Sequence, residues 1–101
     1  MNNMEEVIDS GLEEIARYLR CNGILCARSG ESYLVLDRRE HDDDERIFDK
    51  VGELRGQKGR YYLRLERAPK PFSLEDIEGI VERYVDRFNV KIELEIPLIC
   101  R

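Results

Sequence analysis

Apolar positions recur along this chain at two different intervals, and the change of interval marks its elements. From residue 3 to residue 20, Met4, Val7, Ile8, Leu12, Ile15, Ala16 and Leu19 return at three- and four-residue steps with acids between them. That spacing predicts an amphipathic helix. Glu5 and Glu6 near its start and Arg17 and Arg20 near its end suit the helix dipole. Gly11 weakens the middle, and Asn22-Gly23 supplies residues that accept a left-handed helix terminus.

The interval then drops to two. Residues 24–28 and 32–38 are short apolar and aromatic runs on either side of Ser29-Gly30-Glu31, which predicts a β-hairpin. In its second strand Leu34 and Leu36 share one face, while Tyr33, Val35 and Asp37 share the other. Over 42–55 the pattern forks. Ile47, Phe48, Val51 and Leu54 fall at offsets 0, 1, 4 and 7, a helical stripe, and Asp42 followed by Glu45 has the interval of a capping box. Gly56 would stop such a helix, and Gly52 inside it costs about 1 kcal/mol relative to Ala. A short helix is the preferred reading here, and a strand in a meander is the other.

Strict alternation returns over 59–66, where Tyr61, Leu63 and Leu65 alternate with Arg60, Tyr62, Arg64 and Glu66. Pro69 and Pro71 end that strand. Ser73 then caps a second helix, with Asp76 three residues on and a stripe of Ile77, Ile80, Val81, Tyr84, Val85 and Phe88 that closes at Asn89. Ile92, Leu94, Ile96 and Leu98 alternate with Lys91, Glu93, Glu95 and Pro97 in a last strand, whose proline points to a sheet edge. The order is α-β-β-(α or β)-β-α-β. It implies an α+β fold: a two-layer sandwich of a mainly antiparallel sheet with helices packed on one face, in a single domain over 1–101.

Composition supports a folded chain. Of 101 residues 42% are hydrophobic and 39% charged, with 22 acids against 17 bases, so disorder from a lopsided charge is excluded. Thirteen Arg against four Lys, one Gln, four Asn and no Thr match what a heat-adapted protein uses, which leads one to expect a thermophilic source. No apolar run approaches the roughly 20 residues of a membrane span, and MNNMEEVIDS lacks a secretory signal's basic and apolar regions. A cytoplasmic protein with no membrane partner is expected. Three cysteines, Cys21, Cys26 and Cys100, do not describe a secreted disulfide framework, and Cys26 and Cys100 read as small buried hydrophobes. A zinc site from the three and His41 lacks the short spacing such sites use, and a Cys21–Cys26 disulfide is conceivable only in a hyperthermophile.

Two charge clusters carry the candidate chemistry. His41 is followed by Asp42, Asp43, Asp44 and Glu45, oxygen donors for a weak divalent-cation site. Adjacent acids on a helix diverge by about 100°, however, so the favoured role is an exposed turn that caps a helix. Residues 55–70 carry six cations against Glu66 alone, and Arg60, Tyr62, Arg64 and Arg67 there form a candidate site for nucleic acid or another anionic ligand. Against it, the chain's net charge is −5, Tyr61 shares the apolar face, and Arg60 and Arg64 have Glu93 and Glu95 to pair with. No nucleophile elbow, phosphate loop or dinucleotide fingerprint is present, and no cofactor is implied. The sequence reading is a non-enzymatic protein-interaction or regulatory module, with a protein partner or a homodimer formed through an exposed sheet face or edge.

Overall fold

A carboxylate starts the first helix. In the computed structural model, which describes residues 9–39 and 47–96, Asp9 is extended (φ −62°, ψ 131°) and its side chain accepts from the N–H groups of Gly11 and Leu12. Those two donors have no partner within the helix, so the cap fixes the start, and α1 runs Ser10–Cys21 rather than from residue 3. Met4, Val7 and Ile8 lie outside the described residues. Gly11 therefore sits in the first turn, not the middle. A Cβ at this position would collide with the Tyr61 hydroxyl, so the missing side chain is what lets the helix end approach the sheet.

Strands β1 (Leu25–Ser29) and β2 (Ser32–Arg39) form the expected hairpin, closed by Gly30 at φ 63° as the first of two turn residues. The segment read as a helix is instead a strand, β3 (Ile47–Gln57), antiparallel to β2. A bulge explains the false helical spacing. Val35 pairs with Gly52 but Leu36 pairs with Lys50, so Val51 is the extra residue and both Val51 and Gly52 are buried. The bulge puts Val51 and Leu54, three apart, on one side of a strand, which unbroken alternation would forbid. Gly52 is the residue that permits it, because a Cβ there would run into the Arg64 carbonyl and the Leu65 side chain. The proposed cap at Asp42 and Glu45 lies outside the described residues.

A two-residue turn with Lys58 (φ 54°) and Gly59 (φ 84°) leads to β4 (Arg60–Leu65). The connection that follows holds a buried Pro69 and a cis Lys70–Pro71 peptide, then α2 (Leu74–Phe88) crosses to β5 (Lys91–Glu95), which lies parallel to β4. The cap of α2 is as expected: Ser73 and Asp76 satisfy each other's backbone N–H groups, and Asn89 ends the helix at φ 55°. Strand order is β1-β2-β3-β4-β5, a mixed, mostly antiparallel sheet with both helices on one side. Tyr18 ties them together, its hydroxyl donating to the Ile80 carbonyl at 2.7 Å and its ring lying 4.7 Å from that of Tyr84.

The core lies between helices and sheet. Leu12, Ile15 and Leu19 of α1 and Ile77 and Val81 of α2 meet Val35, Leu54, Leu63 and Leu65 of the sheet. Burial along β4 alternates strictly, with Tyr61, Leu63 and Leu65 covered and Arg60 and Arg64 exposed. No described helix is long and apolar enough to cross a membrane.

Candidate functional site

Alternation and register together determine what the uncovered side of the sheet carries. A full row across the five strands reads Ala27, Leu34, Glu53, Arg64, Glu95. Its neighbours are Leu25, Leu36 and Lys50 on one side, and Arg55, Tyr62 and Glu93 on the other. Arg38 pairs with Phe48, and Gln57, Arg60 and Lys91 close the far end. Among the described residues no element covers this face.

Two unlike halves result. On β1, β2 and the start of β3 stand Leu25 and Phe48, 42% and 40% exposed, beside the half-buried Leu34 and Leu36. Isolated exposed apolar residues are ordinary, but four on adjoining strands form a patch. Over most of β3, β4 and β5, and at Arg38 near the end of β2, the outward side chains are mostly charged. Arg38, Lys50, Arg55, Arg60, Arg64 and Lys91 face outward with Glu53, Glu93 and Glu95, so the face has three more cations than carboxylates. Arg55 lies over the Tyr62 ring, 5.5 Å from its centroid.

Between this face and the start of α1 lies a shallow open concavity of about 830 Å³, lined by Glu31, Ser32, Glu53, Arg55, Lys58, Arg60, Tyr62 and Asp9. At its rim Asp9 joins three elements. Besides capping α1, its carboxylate accepts from the Lys58 N–H at 3.0 Å and from the Tyr61 hydroxyl at 2.7 Å, while Tyr61 accepts from the Gly59 N–H at 3.2 Å. The Lys58 N–H, then the Tyr61 hydroxyl, hold the Asp9 carboxyl below the usual value of 3.8, against the opposing effect of burial. Tyr61→Phe should cost about 1 kcal/mol and let the Asp9 pKa rise. NMR titration of the Asp9 carboxyl would show this, and an unchanged Asp9 with full stability would refute the network.

Of the four residues proposed for anion binding, the structure brings together Arg60, Tyr62 and Arg64 on the open face and sends Arg67 elsewhere. Arg67 donates to Asp37 at 2.6 Å and reaches Asp49 at 3.7 Å, on the covered side. The pairing proposed to neutralise the basic strand does not form between described residues. Arg64 stands opposite Glu95 in register, but Arg60 stands opposite Lys91, and neither arginine closes an ion pair with another described residue.

The acidic run Asp42, Asp43, Asp44 and Glu45, with His41, lies outside the described residues. Within them no three His, Cys, Asp or Glu side chains gather as metal ligands. Asp37 and Asp49 do come together as register partners, but the Arg67 guanidinium bridges them. Cys21 and Cys26 are free thiols rather than a disulfide, Cys21 exposed and Cys26 buried, and burial pushes the Cys26 thiol up to about 11. Cys26 is thus an inert core residue, as its sequence context implied. Cys100 lies outside the described residues.

The apolar half of the open face was not assigned from sequence. Its signal was present in β2, where both faces are apolar and each therefore needs a cover, but Leu25 and Phe48 join it only through strand register. No protein-family model matches the chain, and no match to it is found among curated proteins or among solved structures.

Proposed function

We propose that this domain is a non-enzymatic protein-interaction module that engages its partner with the helix-free face of the sheet. The apolar patch of Leu25, Leu34, Leu36 and Phe48 is the observation that carries the reading. The opposite face already supplies the core, so these side chains contribute little to folding where they stand. A patch of this kind beside a charged field has the make-up of a binding surface, an apolar centre with a polar surround.

Peptides selected on the wild-type domain from a random-sequence display library test the proposal. Leu36→Glu and Phe48→Glu should each weaken their binding about tenfold or more, because a carboxylate then has to be desolvated at the contact. Both substitutions should leave the circular dichroism spectrum and the thermal midpoint close to wild type. Failure to select any peptide, or peptides that bind the variants unchanged, would overturn the proposal.

A further inference from the structure

The charge on the open face identifies the kind of partner. We infer that the domain binds an acidic peptide segment, which places an apolar side chain on the patch of Leu25, Leu34, Leu36 and Phe48 and carboxylates over Arg55, Arg60 and Arg64. The inference rests on the open face being the binding surface, and it specifies the chemistry of what binds there.

Sign is the first argument. The whole chain is at −5, yet this face has three more cations than carboxylates. Arg60 and Arg64 close no ion pair between described residues, so their donors are available to an incoming group. Arginine presents a planar fork that takes a carboxylate through two parallel bonds, which a solvated lysine does not.

The same surplus disfavours a second copy. A symmetric dimer through this face would set the patch against itself, with like charge meeting like across the two-fold axis. A nucleic-acid strand fits less well for two reasons. Glu53 and Glu95 flank Arg64 in register and Glu93 flanks Tyr62, so a continuous line of phosphates would meet carboxylates as often as guanidiniums. The outward-facing ring that could stack a base on β4, Tyr62, is half-buried and has Arg55 over it, and the apolar corner is mostly aliphatic. A peptide can place its acids selectively and leave gaps over the glutamates.

Spacing narrows the ligand further. Leu34 and Arg64 lie in one row two strands apart, about 10 Å at the usual strand separation. An extended peptide covers that distance in about three residues. The expected ligand therefore has an apolar anchor with acidic residues roughly three positions away.

The experiment is the composition and behaviour of the peptides selected on the wild-type domain. Peptides should pair an apolar residue with two or more Asp or Glu, weaken as salt is raised, and lose about tenfold in affinity to Arg60→Glu/Arg64→Glu, whose circular dichroism stays native. Neutral or basic peptides that are still lost on Phe48→Glu would overturn this inference while leaving the open face as the binding surface. Peptides indifferent to Phe48→Glu would remove the binding surface itself. An oligothymidylate strand that binds more tightly than every selected peptide, or a dimer in light scattering that Phe48→Glu dissociates, would each overturn the acidic-peptide assignment.

Discussion

Leu54→Ala should lower the thermal midpoint by about 15 °C, corresponding to about 3 kcal/mol in a domain of this size. Leu54 is fully buried on β3, the middle strand of five, and pairs with Tyr33 on β2 and Leu63 on β4, both buried. Truncation removes three carbons from a site walled by two neighbouring strands and the overlying helices, and the sheet's hydrogen bonding keeps the walls from closing on the cavity. Leu34→Ala is the matched control. It removes the same atoms from the adjacent strand but on the open face, where the side chain is half-buried and nothing described covers it, so about 1 kcal/mol or less is expected. Thermal melts of the two variants thus read out which face of the sheet is the core. Equal losses would mean that the apolar patch is part of the fold, and the case for a binding surface there would collapse with it.

How far the chain can be read without coordinates depends on whether its signals are local. The second helix was legible to the residue at its start because Ser73 and Asp76 satisfy each other within one turn, and its stripe faces a single covering surface. The first helix was placed too early because Asp9 is one acid among several in the sequence. Only its contacts with Lys58 and Tyr61, some fifty residues away, distinguish it as the cap. The third strand was misread as a helix because its bulge brings Val51 and Leu54 to one side at a helical interval, and the bulge is defined by pairing with β2. Gly52 was the local warning: counted as a penalty against a helix, it marks the close approach of β4. Among candidate site residues, alternation put Arg60, Tyr62 and Arg64 on one face of β4, and they share the uncovered face. Arg67 was grouped with them although it differs in parity and lies past the end of β4, and the structure places it on the other side, where Asp37 receives it. The apolar corner needed register across three strands, which no window of sequence contains.

Arg67→Leu should cost about 2 kcal/mol at neutral pH and clearly less in acid, because it strands a buried carboxylate. Asp37 lies on the covered face with 3% of its side chain exposed, and it accepts from Arg67 at 2.6 Å and from the Lys70 N–H at 3.2 Å. The Arg67 side chain is 48% exposed and its charge therefore screened, which holds the figure below the 3–5 kcal/mol typical of fully buried pairs. Burial pushes the Asp37 carboxyl up, but the Arg67 hydrogen bond, the Lys70 N–H and the two positive charges outweigh it and hold it below the usual 3.8. A folded-state pKa below the unfolded one means that the unfolded chain takes up protons first as pH falls. The stabilisation is therefore complete above about pH 5 and is lost as pH drops through the folded-state value. In Arg67→Leu the carboxyl retains burial and a single N–H, so its pKa rises, and protonation relieves the buried charge. Urea melts at about pH 7 and about pH 3.5 should show the gap between wild type and variant narrowing in acid. Replacing both partners, Asp37→Leu with Arg67→Leu, should recover much of the neutral-pH loss, since it removes the buried carboxylate that the single variant strands, while Asp49 is 31% exposed and stays solvated. A gap that stays constant with pH, or a double variant no better than the single, would show that Arg67 acts here through packing of its aliphatic stem and not through its charge.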